Sequence, residues 1–217
     1  MTATPARKGR KTRSRDAAAT RHSILGAAIG EFCDKGYDGA GTEQIAQRAD
    51  TNIRMLYHYF GSKEKLYQAC LEKVYEDLRA REAAIDLTDL LPEKAIEVLL
   101  DFTFDHLQEH PEFIRLVGIE NINQGKMLRN LPSVPERGMS LLEKIRAVLD
   151  KGARSGILRA GVDPFQFYVS LLSLSYLHLS NKYTLSITFK HDLEDPSWLA
   201  ERREHVREVL LSYLRNC

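Results

Sequence analysis

A group of hydrogen-bonding side chains lies on one side of a short apolar segment about a quarter of the way along the chain. Arg54, Tyr57 and His58 recur at helical spacing and project away from Leu56 and Phe60, which are suited to a core. Guanidinium, phenol and imidazole groups on one exposed helix face can contact the base edges and phosphates of DNA. The pattern therefore predicts a nucleic-acid-binding surface.

Two short helices and the turn between them are predicted to position these side chains. The stretch from Thr42 to Ala49 is apolar on one face over two turns, and Asn52 is a favoured N-cap for the segment from Ile53 to Phe60. Two helices joined by a turn of about three to four residues form a helix-turn-helix, whose second helix can lie in a DNA major groove. Both helices are too short to stand alone and must pack on longer neighbours.

The remaining periodicity predicts an all-α chain. A first helix from about Ala17 to Lys35 is followed by Gly36 at a C-cap position, and Ser62 caps a long helix that continues to about Ile85. Further helices are predicted at residues 92–109, 111–124, 133–154, 163–181 and 196–215.

Two later segments do not follow the helical pattern clearly. Residues 183–189 alternate like a strand, but a single strand has no second strand to pair with. Residues 125–138 contain Pro132 and Pro135 and are predicted to form an irregular loop.

The formal net charge of +1 conceals an uneven distribution along the chain. Residues 1–65 carry 12 Lys and Arg against 7 Asp and Glu, whereas residues 66–217 carry 19 against 23. The basic part is the candidate for a polyanionic partner. Residues 1–16 include a dense basic run without apolar periodicity and are predicted to be a disordered arm, which either solubilises the chain or contacts DNA.

The amino-acid composition excludes several classes of protein. The chain of 217 residues is 43% hydrophobic and 28% charged, which is ordinary for a globular protein and unlike a collagen-like, disordered or disulfide-rich chain. Apolar runs stay well below the roughly 18 residues of a membrane span, and no secretory signal is recognised. We therefore expect a cytoplasmic protein without membrane contact.

The sequence pattern predicts neither an enzyme nor a metal or cofactor site. It contains no nucleophile paired with a base, no cluster of metal ligands and no glycine-rich phosphate loop. His106 and His110 lie four residues apart on one helical face, but without a third ligand nearby they are interpreted as surface residues. We expect no catalytic residue, no metal and no cofactor.

A longer motif identifies the helix-turn-helix more closely. It reads Thr42-x-x-Ile45-Ala46-x-x-Ala49, followed by Leu56-Tyr57-His58-Tyr59-Phe60-Gly61-Ser62-Lys63-Glu64-x-Leu66. This pattern closely resembles the DNA-binding domain of TetR-family transcriptional regulators. The resemblance implies a homodimer in which each subunit has a three-helix DNA-binding domain at residues 17–65 and a helical domain for ligand binding and dimerisation at residues 66–217. It further implies a repressor that binds a pseudo-palindromic operator and is released by a small molecule.

The same resemblance assigns DNA contacts by position. They are Ile53, Arg54 and Met55 in the base-reading turn; Tyr57, His58 and Tyr59 towards the groove and backbone; Thr42 and Lys63 at phosphate-contacting helix starts; and Glu43, where some members read a base. Arg54 is predicted to read a guanine or, alternatively, to contact a phosphate. For Ile53 and Met55 the alternatives are contact with a thymine methyl group and packing.

The turn departs from the family pattern. The usual Ala-Gly-Val-Ser is replaced by Ala49-Asp50-Thr51-Asn52. Aspartate tolerates left-handed backbone better than most residues, and threonine has the shape of valine with one hydroxyl to satisfy, so we expect the turn to form with some strain. Arg54 stands where a small residue is usual, which predicts a distinctive operator.

The C-terminal half resembles the corresponding domain of the RutR-like branch of the family, less closely than the first motif. The resemblance implies that the helices beginning near Pro164 and Pro196 form a four-helix dimer interface with the same two helices of the partner subunit. The predicted interface residues are Phe165, Leu172, Tyr176, Leu179, Val206, Leu210 and Tyr213, for which the core of one subunit is the alternative.

The small-molecule effector is not identified by the sequence. Candidate ligand contacts are polar residues of the middle helices, namely His106, Asn121, Gln124, Tyr168 and His178, each of which could equally be an ordinary buried or exposed side chain. An all-helical dimeric adaptor without specific DNA binding is the alternative function. It would explain the C-terminal helices but not the basic N-terminal part and its motif.

Overall fold

The computed structural model describes the backbone of residues 9–215 and the side chains of residues 17–135 and 138–215. This part of the chain is helical, which confirms the predicted all-α fold. The helices are α1 (Gly9–Gly39), α2 (Thr42–Arg48), α3 (Ile53–Phe60), α4 (Lys63–Ala84), α5 (Pro92–Glu109), α6 (Pro111–Ile122), a 3₁₀ turn (Leu128–Asn130), α7 (Ser133–Arg154), α8 (Pro164–Ser180), α9 (Lys182–Phe189) and α10 (Pro196–Leu214). None of the helices so described is long and apolar enough to cross a membrane.

The first helix is longer than predicted at both ends. It begins at Gly9, ahead of the expected start at Ala17, because arginine and lysine, which make up half of residues 9–16, favour helical backbone. The backbone of residues 9–16 in the predicted disordered arm is thus helical, whereas residues 1–8 lie outside the described residues. At the predicted C-cap, Gly36 has a φ of 70°, which interrupts the helix before it continues to Gly39.

Two segments of ambiguous pattern are also helical. Residues 183–189 belong to α9, so their alternation does not mark a strand. The irregular loop is shorter than the predicted 125–138, because α7 already begins at Ser133. Pro135 is tolerated there since the first turn of a helix has no backbone partner for its N–H groups.

Two clusters of buried apolar side chains hold the helices together. The first joins α1, α2, α3 and α4 through residues such as Phe32 and Leu56, and continues into α6 through Leu116. The second joins α5, α7, α8 and α10 around Ile145 and Val206. The predicted domain boundary after residue 65 lies within α4, and the first cluster extends across it, so α4 and α6 connect the two regions.

A lysine of α7 fixes the far end of α4. The Lys144 ammonium donates hydrogen bonds to the backbone oxygens of Glu82, Ala83 and Ile85, at 3.1, 2.9 and 2.9 Å. The last carbonyls of a helix lack the usual partner four residues on, although that of Glu82 also accepts from the Ile85 N–H at 3.3 Å. The negative end of the helix dipole attracts a cation. The contact anchors the C-terminus of α4 against α7.

Candidate functional site

Helix α3 presents one polar face to solvent. Arg54, Tyr57 and His58 are exposed, whereas Leu56 and Phe60 are buried in the first cluster. A helix advances by 100° per residue, so positions 54, 57 and 58 share one side and positions 56 and 60 share the other. The packing of α3 therefore aims the three polar side chains outward as a group.

The turn before α3 is fixed by its own hydrogen bonds. Asp50 has a φ of 49°, the left-handed conformation expected where glycine is usual. The N–H groups of Asp50 and Thr51 donate to Gln47 and Ala46 oxygens, and the Asn52 carboxamide accepts from the Met55 N–H at 3.0 Å. Asn52 is thus the N-cap of α3, as predicted, and its hydrogen bond stabilises the start of the helix.

Two further helix starts flank α3. The Thr42 hydroxyl at the beginning of α2 lies 3.2 Å from the Tyr57 hydroxyl. Lys63 begins α4, and its ammonium donates to the backbone oxygen of Asp38 at 3.2 Å and lies 5.2 Å from the centre of the Tyr37 ring. Neither partner neutralises the lysine charge, so a cation and two helix N-termini, which attract anions, lie near the polar face of α3.

The other residues predicted to contact DNA differ in their exposure to solvent. Glu43 is exposed at the start of α2, while Ile53, Met55 and Tyr59 are half-buried. Ile53 and Tyr59 pack against the first cluster, and Tyr59 also meets the His58 ring edge-on at 5.3 Å. Ile53 thus packs on the first cluster, and its contact with a thymine methyl group stays a prediction.

Two arginines near the turn have different surroundings. Arg54 has neither a hydrogen bond nor an ion pair among the described residues, so its guanidinium is available to a ligand. Arg48 of α2 instead pairs with Glu31 at 3.3 Å and Asp34 at 3.4 Å on α1. Sequence reasoning missed these two ion pairs of Arg48, which hold α2 against α1.

A second candidate site is a cavity of about 330 Å³ between α4, α5, α6 and α8. Three predicted ligand contacts, His106, Asn121 and Tyr168, line it. Gln124 lies in the turn after α6 and is absent from the lining. His178 is also absent, because its ring is packed between Phe104 and Trp198, with ring centres 5.1 and 5.6 Å away.

The burial of histidine and charged side chains around this cavity differs from what the sequence predicted. His106 is only 3% exposed, so its interpretation as a surface residue is wrong; His110 is half-buried beside it. Sequence reasoning also missed Arg79 and Glu82, which form an ion pair on the cavity side of α4. The sequence signal for these two residues is their helical spacing from Tyr75, which places all three on one side of the helix. Among the described side chains, no group of three or more His, Cys, Asp or Glu could hold a metal ion.

The predicted dimer residues divide into outer and inner sets. Phe165 and Tyr213 are 57% and 49% exposed, whereas Val206 and Leu210 are 0% and 3% exposed. Assigning Val206 and Leu210 to the dimer interface is therefore wrong, because they pack in the second cluster of a single chain. Leu172, Tyr176 and Leu179 are half-buried against the first cluster.

Sequence comparisons cover both halves of the chain. A model of bacterial regulatory proteins of the tetR family matches residues 24–70, and a model of tetracyclin repressor-like C-terminal domains matches residues 92–210. The HTH-type transcriptional repressor NicS of Pseudomonas putida is 34% identical over 208 residues, covering 95% of this chain and 98% of NicS. The HTH-type transcriptional regulator RutR of Escherichia coli is 26% identical over 204 residues, covering 94% of each chain.

Solved structures share the fold. A putative transcriptional regulator, SCO4942 from Streptomyces coelicolor, superposes with a TM-score of 0.68 at 22% identity, covering 90% of this chain and 98% of that one. The ketosteroid transcriptional regulator KstR2 of Mycobacterium tuberculosis also gives 0.68, at 18% identity, covering 91% and 95%. With the helix-turn-helix described above and both family models matched, this chain belongs to the TetR family of DNA-binding transcriptional regulators.

Proposed function

We propose that this chain is a repressor that binds a pseudo-palindromic operator as a homodimer and leaves it when a small molecule enters the cavity between α4, α5, α6 and α8. The observation that carries the proposal is the outward group of Arg54, Tyr57 and His58 on α3. A regulator of this kind works beside the chromosome in the cytoplasm.

DNA recognition divides between base edges and phosphates. Two α3 helices, one per subunit, enter successive major grooves about 34–36 Å apart. Arg54 reads a guanine, because arginine can donate two hydrogen bonds to its O6 and N7 atoms. Thr42 and Lys63 contact phosphates, which position the dimer without reading sequence.

The dimer interface is formed by the outer faces of α8 and α10. Exposed apolar side chains of these two helices are Phe165, Val169, Leu177, Val209 and Tyr213. The helices pack side by side, and Arg202 of α10 donates to the backbone oxygen of Leu174 on α8 at 3.0 Å. A two-fold axis would join two such pairs into a four-helix bundle and remove these faces from water.

Two helices connect the cavity to the DNA-binding region. Helix α4 begins at Lys63 beside α3 and lines the cavity further along its length. Helix α6 lines the cavity and also packs on α1, where the Cys33 thiol donates to the Glu112 backbone oxygen at 3.7 Å. A ligand that shifts α4 or α6 changes the separation of the two α3 helices, so ligand and DNA oppose each other reciprocally.

Selection of genomic fragments with the purified protein, followed by footprinting at a stated salt concentration, tests the proposal. We expect a palindromic footprint, and Tyr57→Ala should weaken binding to it by at least about tenfold. Tyr183→Ala is the matched control, because Tyr183 is also an exposed tyrosine but lies on α9. Enrichment of no sequence above bulk DNA, with equal weak binding by both variants, would favour the adaptor function.

A further inference from the structure

Aromatic residues are the most numerous class in the lining of the cavity between α4, α5, α6 and α8. Five rings face it, from Tyr75, Phe102, Phe113, Tyr168 and Tyr176. Its volume of about 330 Å³ lies at the small end of the range for ligand pockets, which runs from about 300 to 1,000 Å³. Flat rings stack on or meet other flat rings edge-on, so the lining favours a small planar compound.

The charges that line the cavity cancel each other. The side chains of Arg79 and Glu82 are 12% and 8% exposed and form an ion pair on α4. A charged ligand would leave water without gaining a free counter-charge, and burial of an unpaired charge is costly. The Arg79 Nε has no hydrogen-bond partner among the described residues, but Glu82 already balances the arginine charge, so the cavity favours an uncharged ligand.

The lining contains a buried imidazole that has no hydrogen-bond partner among the described residues. His106 is 3% exposed, and neither of its ring nitrogens has a hydrogen-bond partner within the described part of the chain. Its ring stacks on Phe102 and meets Phe113 edge-on, with both ring centres 5.8 Å away. Burial, and the neighbouring His110, lower the pKa of His106 to about 4, so near neutral pH it carries one donor and one acceptor.

We propose that the effector is an uncharged, planar aromatic compound of one or two rings, with a hydrogen-bonding group that pairs with His106. The inference rests on the proposed function, in which this cavity holds the effector. The rings of the lining hold the aromatic body, and His106 supplies the polar contact that orients it. The effector in turn satisfies a buried imidazole that would otherwise stay unpaired.

Matched probes of different charge test this ligand class. Binding is measured by calorimetry at pH 7.5 with the full chain and no DNA. The probes are benzamide, benzoate and benzylamine, and the two-ring set 2-naphthamide, 2-naphthoate and 2-naphthylmethylamine. We expect at least one amide to bind, about tenfold or more tightly than the acid and amine with the same rings. Tightest binding of an acid or amine, or binding of none of the six, would overturn the proposal.

Variants of His106 test the polar contact. His106→Leu should weaken amide binding by about tenfold, as expected when one hydrogen bond is removed, whereas His106→Gln keeps a donor and an acceptor and should restore most of it. His22→Leu is the control, because His22 is exposed on α1. Equal amide affinity in the Leu variant and the unmodified protein contradicts the role of His106. If the Leu variant does not fold, the charge series still decides the ligand class.

Failure of this inference is distinguishable from failure of the proposed function. The titrations contain no DNA, so rejection of all six probes leaves operator binding by α3 unaffected. Conversely, a chain that binds an amide but enriches no DNA sequence supports the ligand class and contradicts the regulator.

Discussion

At the scale of single residues, Arg54 and Lys63 have different surroundings, so replacing each of them should change DNA binding in a different way. Arg54 lies exposed on the outer face of α3, whereas Lys63 is held at the start of α4 by the Asp38 backbone oxygen. A side chain that reads a base acts on one sequence position, and a phosphate contact acts on all sequences alike. Comparing substitutions of these two residues therefore separates sequence specificity from general DNA affinity.

We predict that Arg54→Ala costs about 1–3 kcal/mol on the operator and relaxes the preference at one base pair in each half-site. Lys63→Ala should weaken binding to every sequence similarly and reduce the slope of log affinity against log salt by about one for each phosphate that the variant no longer neutralises. Fluorescence anisotropy with operator variants at several salt concentrations measures both. An equal loss of affinity on all variants for Arg54→Ala would assign that residue to a phosphate.

His178 makes stability depend on pH without belonging to the cavity. Burial, and the nearby Arg202, lower its pKa to about 4, and neither ring nitrogen has a hydrogen-bond partner among the residues described. An unfolded histidine has a pKa of about 6.5, so between these values the unfolded chain binds more protons. The free energy of unfolding therefore falls as the pH drops from 7 to 5.

We predict that His178→Phe removes about 1–2 kcal/mol of this decrease between pH 7 and pH 5, since phenylalanine keeps the ring contacts with Phe104 and Trp198 and cannot be protonated. Urea unfolding at both pH values and one protein concentration measures it. Other titrating groups, His106 included, are present in both proteins and cancel in the comparison. His22→Phe, on an exposed side chain, should leave the pH dependence unchanged.

At the scale of helices and turns, the short motif was the most predictable part. The bounds of α3 match the prediction, because an N-cap at Asn52 and a glycine at residue 61 mark both ends locally. The two sides of α8 could not be sorted, since that helix is apolar almost all round and only its neighbours decide which side is covered. Burial of His106 likewise depends on residues distant in sequence, around a cavity that no local pattern shows.

The left-handed turn offers a prediction at this scale. Asp50 has a φ of 49°, which an alanine side chain tolerates less well than aspartate, and glycine adopts freely. Asp50→Ala should lower the free energy of unfolding by about 1 kcal/mol, whereas Asp50→Gly should leave it unchanged or raise it slightly. Urea denaturation of the two variants measures the difference. Equal stabilities would mean that the turn changes conformation when Asp50 is replaced.

At the scale of the whole molecule, one apolar cluster serves both the DNA-binding helices and α6, which lines the cavity. The two functions are therefore packed together and not separated by a linker. Helix α4 packs on α3, and α6 packs on α1, which in turn packs on α3, so a change in the cavity has two routes to α3. Each route acts within one subunit, so the distance between two α3 helices also requires a firm dimer interface.

We predict that Val209→Glu on the outer face of α10 dissociates the dimer. A two-fold interface contains the substitution twice, and each copy would bury an unpaired carboxylate, so the dissociation constant should rise by about 100-fold or more. Sedimentation velocity measures the oligomeric state. Operator affinity should fall with it, because a monomer reaches only one half-site.

Ile122→Glu is the matched control for this variant. Ile122 is 83% exposed at the end of α6 and lines a groove with Tyr176 and Leu179. That groove contains none of the outward side chains of the proposed interface, so the same substitution there should leave the dimer intact. Dissociation by Ile122→Glu, with an intact dimer in Val209→Glu, would move the interface to the side of α6. The α6 contacts with α1 would then lie beside the partner, and the subunits would exchange the ligand signal directly across that surface.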